Sequence, residues 1–139
     1  MTVSVELCEL LDYSDHERGK WREWIASDAR RLDIPFQAGG RFPTIAALLD
    51  HVFLVERRHL SRLQGGTPPE STGVKPGDWK ALFEYADLVR ADFRRYIADI
   101  DLEEAEEKMT IVAQSGTRSM TRRRLATHIL LHELRHFAQ

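Results

Sequence analysis

Apolar residues recur at spacings of three and four in four separate stretches, and this helical period most narrows the folds open to the chain. The clearest stretch covers residues 45–63, where Ile45, Leu48, Leu49, Val52, Val55 and Leu60 form one stripe. Thr44 stands where a helix N-cap belongs, and Gly65-Gly66 stands where a helix should stop. An earlier stretch, residues 5–31, carries Leu7, Leu10, Leu11, Trp21, Trp24 and Ile25. Gly19 is its weak point, because an interior glycine costs on the order of 1 kcal/mol against alanine. A third covers residues 79–100 on Leu82, Phe83, Leu88, Val89, Phe93 and Ile97, with Asp78 as cap. The last runs from Arg122 to the C-terminus behind Thr121.

The segments between these stretches are equally legible. Pro35 to Pro43, with Gly39-Gly40 inside, reads as a loop. Residues 65–77 form a proline- and glycine-rich connector, long enough to cross one end of a bundle or to carry function. The acidic run Glu103 to Glu107 reads as a solvated helical turn. Met109-Thr110-Ile111-Val112-Ala113 followed by Ser115-Gly116 reads as a short β-hairpin. Together these predict an all-α, four-helix bundle with a long crossover connection and a hairpin before the last helix. Its 139 residues fit one domain, 1–139, large enough for a single core.

Charge and cysteine content remove whole classes of function. The net charge is -2, and Arg122-Arg123-Arg124 is too short a basic run to bind a phosphate backbone, so no nucleic-acid partner is expected. No window approaches the roughly 20 apolar residues of a membrane span. The first residues carry Glu6, Glu9 and Asp12 and lack the basic start and apolar core of a leader peptide. Cys8 is the only cysteine, so no internal disulfide can form. A cytoplasmic protein is expected. Trp21, Trp24 and Trp79 are read as core packing in preference to a ligand pocket.

The histidines point to chemistry. His128, His132 and His136 are spaced by four on the last helix. Four residues turn a helix by about 40° and advance it by about 6 Å. Adjacent members can therefore share one divalent ion, whereas His128 and His136, about 12 Å apart along the axis, cannot. Spacing leaves the pairs 128/132 and 132/136 both open. A useful site needs a third ligand from another helix. His51 is the best candidate, at the edge of the second stripe between Leu48 and Val55. His59 lies two turns further on, and His16 sits in the polar run Ser14 to Lys20 and is read as exposed.

His132-Glu133-Leu134-Arg135-His136 is also a literal H-E-x-x-H, the pattern in which zinc peptidases use two histidines as ligands and the glutamate as general base. Such enzymes usually take their third ligand from further downstream, and three residues follow His136 here. The peptidase reading is therefore placed below a bundle-type metal site.

The closing residues, His132-Glu133-Leu134-Arg135-His136-Phe137-Ala138-Gln139, resemble the final-helix signature of the DinB-like (YfiT-like) metal-binding four-helix bundles, two histidines four apart and a glutamine three further on. Leu48-Leu49-Asp50-His51-Val52-Phe53 with Glu56-Arg57, and Leu11-Asp12-Tyr13, are similar to that family's second- and first-helix signatures. Related chains usually continue past the glutamine, whereas this sequence ends at Gln139. The resemblance implies His51, His132 and His136 as ligands of a divalent ion, commonly zinc or nickel, with open positions for water or substrate. It makes His128 a neighbour of the site. It further implies a homodimer and a small-molecule substrate, with a low-molecular-weight thiol as cosubstrate in a thiol-transferase reaction. A hydrolase using the same ion, with Glu133 or Glu56 as base, is the alternative. A non-catalytic metal- or ligand-binding bundle is the third possibility.

Overall fold

The computed structural model describes residues 2–36 and 40–139. Gly39 of the expected loop lies outside them. Four long helices, α1 (Leu7–Ser27), α2 (Ile45–Leu63), α3 (Trp79–Asp99) and α5 (Arg122–Phe137), form the bundle. A short helix α4 (Leu102–Glu106) and two strands, β1 (Lys108–Ala113) and β2 (Gly116–Thr121), precede α5. No helix among the described residues is long and apolar enough to cross a membrane.

Local chemistry sets these boundaries. Thr44, Asp78 and Thr121 each accept a hydrogen bond from the backbone N–H three residues on, at 3.1–3.2 Å. Such caps contribute about 1 kcal/mol apiece. At the end of α2, Gly65 takes φ 75°, and Gly66 N–H and Gly65 N–H donate to Ser61 O and Arg62 O. That is a Schellman stop, which needs the left-handed conformation glycine adopts without strain. Gly19 does not interrupt α1, which instead ends at Ser27 and passes into a 3-10 turn, Ala29–Asp33. The hairpin pairs Ala113 with Gly116 across a two-residue turn, Gln114-Ser115.

Substantial packing joins α2 to α5, α5 to α1, α1 to α3 and α3 to α2. Consecutive helices α1 and α2 are therefore diagonal partners, and residues 28–44 make that crossing. A second diagonal, α3 to α5, is spanned by α4 and the hairpin. The connector 65–77 joins neighbouring helices and lies along α2, held by Arg58 donating to Pro69 O and Glu70 O and by Thr72 donating to Asp50.

Two apolar clusters fill the interior. One gathers Leu11, Leu60, Phe93, Leu125 and Ile129, and the other Ile25, Leu48, Val52, Phe53 and Phe83. Between them lies a charged layer. Ser14, Arg18, Glu56, Arg90 and Glu133 are all buried. His16 is exposed as expected, but in the same polar run Ser14 and Arg18 are buried, continuing the inward line of Leu11 at helical spacing. Two expectations change here. Leu88, placed in the α3 stripe from sequence, is 71% exposed, and Arg90 is buried in its stead. Trp24 is 37% exposed, whereas Trp21 and Trp79 pack partly against the core.

Candidate metal centre

Helix α2 presents His51, and the facing helix α5 presents His132 and His136 one turn apart. Their ligating nitrogens lie within 4.8 Å of one another, and no other such grouping of three occurs among the described residues. The imidazole centroids are 4.4 Å apart for His132 and His136, and 5.2 Å from His51 to each. Phe42 walls the cluster from the 28–44 crossing, 4.6 Å from the His51 ring and edge-on to His136 at 5.5 Å.

The protonation pattern follows from the hydrogen bonds. Gln139 Oε1 can only accept, so His136 Nδ1, 2.9 Å away, carries the proton. His136 Nε2 is therefore a free lone pair, and it faces His132 Nε2 at 3.1 Å. A glutamine acting in this way fixes both tautomer and ring orientation, as the outer partner of a metal-bound histidine does. His51 Nε2 is buried with no hydrogen-bond partner, an arrangement that costs on the order of 1–3 kcal/mol if left unmet.

These observations fit a divalent ion. Two nitrogens each about 2.05 Å from one ion stand about 3.3 Å apart at a tetrahedral angle and about 2.9 Å apart at a right angle. The observed 3.1 Å falls between. The rings are also in the right charge state. Burial first, then His136, Arg41 and Arg58, push His51 down to about 4. Burial first, then His136, His51, His128 and Arg135, push His132 down to about 3. Both rings are neutral at pH 7.

The remaining histidines separate cleanly. His59 and His128 face each other across α2 and α5 with centroids 5.5 Å apart, and His128 lies 5.9 Å from His132. His128 is exposed, and so is His16. The ladder of α5 thus divides between the cluster and a second pair.

The two carboxylates considered as bases are occupied elsewhere. Glu133 accepts from Ser14 at 2.7 Å, from Arg18 at 2.5 Å and from Arg90 at 3.3 Å. Glu56 accepts from Arg18 at 2.7 Å and Arg90 at 2.8 Å. Burial alone would raise the Glu56 carboxyl, but Arg18 and Arg90 outweigh it and hold the group below the usual range. Arg90 also pairs with Asp15, which pairs with Arg94. Reading from sequence missed Arg18 and Arg90. Their signal was the helical register of Ser14 and Arg18 with Leu11, and of Arg90 with Phe83, Ala86 and Phe93. Phe42 carried no comparable signal.

The family model described as the DinB superfamily matches residues 27–139, which takes in α2 to α5 and all three histidines of the cluster. No curated protein matches the chain.

Proposed function

The chain belongs to the DinB superfamily, and from that premise we propose that it binds one divalent metal ion through His51, His132 and His136 and acts as a metal-dependent enzyme of thiol-transfer type on a small molecule. The observation that carries this reading is the convergence of three neutral imidazoles, one with an orphaned buried Nε2. Three nitrogen ligands leave at least one position of a tetrahedral ion open, the mark of a reactive rather than a purely structural site. Imidazole donors suit zinc or nickel. An ion held there would supply Lewis-acid stabilisation of a thiolate, the nucleophilic form of a thiol.

The chain's own residues do the rest. Gln139 holds the His136 proton on Nδ1 and so directs Nε2 into the cluster. Phe42 excludes water from one side. The charged groups that act on His51 and His132, besides the histidines, are the cations Arg41, Arg58 and Arg135, which favour an anionic nucleophile beside them. Hydrolysis with Glu133 or Glu56 as base is less well supported, because each carboxylate is shared by Arg18 and Arg90. The same contacts weaken the peptidase reading of H-E-x-x-H. A homodimer and a low-molecular-weight thiol cosubstrate follow from the family resemblance alone.

Metal analysis of the purified protein tests this. About one zinc or nickel per chain is expected, with loss of the ion in His132→Ala and conjugation activity in a screen of small thiols. Stoichiometric metal surviving His132→Ala would sink the assignment, and a bound ligand without turnover would favour a binding bundle.

A further inference from the structure

Seven arginines among the described residues have no carboxylate within ion-pair distance: Arg31, Arg41, Arg58, Arg62, Arg118, Arg124 and Arg135. Elsewhere pairing is the rule. Arg22, Arg30, Arg57, Arg94, Arg95 and Arg123 all hold aspartate or glutamate. Three of the unpaired ones share helix faces with the histidines. Arg58 and Arg62 follow His51 on α2 by seven and eleven residues, which puts all three on one helix face. Arg135 follows His128 by seven on α5, again on one face. Because α2 and α5 run antiparallel, with His51 against His136 and His59 against His128, these faces lie along one seam between the two helices, with the three histidines at one end.

At the other end of this seam the arginines are held in place. Arg58 is fixed by two backbone carbonyls of the connector, Pro69 O at 2.8 Å and Glu70 O at 2.7 Å. Arg62 donates to His59 Nδ1 at 3.1 Å. The other N–H groups of these guanidiniums have no acceptor among the described residues. We infer that Arg58 and Arg62, with His59 and His128, bind a phosphate or carboxylate group of a small-molecule ligand, about 10–16 Å along α2 from His51.

Several facts support this. Arginine forks are the donors best matched to oxyanions. Two partly buried guanidiniums one turn apart repel each other, and burial, then Arg58, pull Arg62 below the ordinary arginine value. An anion between them relieves that repulsion. Burial first, and then cationic neighbours, hold both rings below the ordinary histidine value: Arg62, His128 and Arg58 act on His59, and Arg135 and Arg118 on His128. The ligand is then an elongated anion with its charged end remote from its reactive end. That the reactive end meets the three histidines rests on the metal reading above, whereas the anion site does not.

Calorimetric titration with inorganic phosphate at fixed ionic strength tests it, with acetate in a parallel arm to rank carboxylate against phosphate. Wild-type protein should bind one phosphate per chain saturably. Arg62→Gln should weaken binding at least tenfold, and His128→Gln severalfold, with unchanged melting temperatures. Arg31→Gln, an equal charge change at an unpaired arginine on the 3-10 turn, should stay within twofold. His132→Ala should bind phosphate like wild type, so a failed metal site leaves the anion result readable. Arg62→Gln binding within twofold of wild type would overturn the inference. So would binding that needs added zinc and vanishes in His132→Ala, which would place the anion on the metal.

Discussion

Glu133 sits inside an exact H-E-x-x-H, yet the structure makes it a structural counter-ion, and Glu133→Gln separates the two roles. In the wild type, Glu133 and Glu56 face Arg18 and Arg90, all four at most 5% exposed. The amide removes one of two negative charges from this layer. It also turns an N–H₂ group toward guanidiniums that need acceptors at 2.5 Å and 3.3 Å. Removing one partner of a buried ion pair costs about 3–5 kcal/mol, because the other charge stays buried and uncompensated. For a chain of 139 residues, an unfolding entropy of about 2.1 cal/mol/K per residue turns that into a melting point lower by roughly 10–17 °C. The assay is thermal and urea unfolding followed by circular dichroism on metal-free protein. A joint Arg18→Met, Glu133→Leu variant should lose less than the two single changes combined, since it leaves fewer unpaired charges in the layer. A Glu133→Gln protein within about 1 kcal/mol of wild type, but without turnover, would refute this reasoning and restore the glutamate as a general base.

Two further outcomes follow from the same geometry. Gln139→Ala frees the His136 tautomer and should weaken zinc binding about 10–100-fold with little change in fold, as read by competition with a chelator. Acid should destabilise the metal-free protein. His51, His59 and His132 are held at about 4, 4 and 3 when folded, against about 6.5 unfolded. The unfolded chain therefore binds more protons between those values. Their contribution is full above pH 6.5 and is lost as pH falls from 6.5 toward 4 for His51 and His59 and toward 3 for His132, at up to about 1.4 kcal/mol per pH unit for each ring, less where solvent screens it. Urea midpoints that are flat over this window would contradict the burial of these rings.

Much of this architecture was legible in advance because its determinants are local. Periodicity set α2 at residues 45–63, and Thr44, Asp78 and Thr121 announced their helices through short side chains that reach backbone N–H groups three residues away. Leu88 misled and Arg18 went unread, because burial depends on which neighbour a helix face meets. A guanidinium is read as solvated until its partners on three other helices are known.

The sequence by itself determined the helices, their caps, the hairpin and the four-residue spacing of the α5 histidines, all of which arise within one or two turns of chain. Spacing alone left the pairs 128/132 and 132/136 equal. The family resemblance pointed to 132/136 with His51, and the tertiary structure supplies the physical reason and the pairing of His128 with His59: antiparallel packing of α2 on α5 decides which rings meet. The tertiary structure alone showed that Glu133 and Glu56 belong to a buried charge layer, since an ion pair joining residues 115 apart in the chain has no local signature.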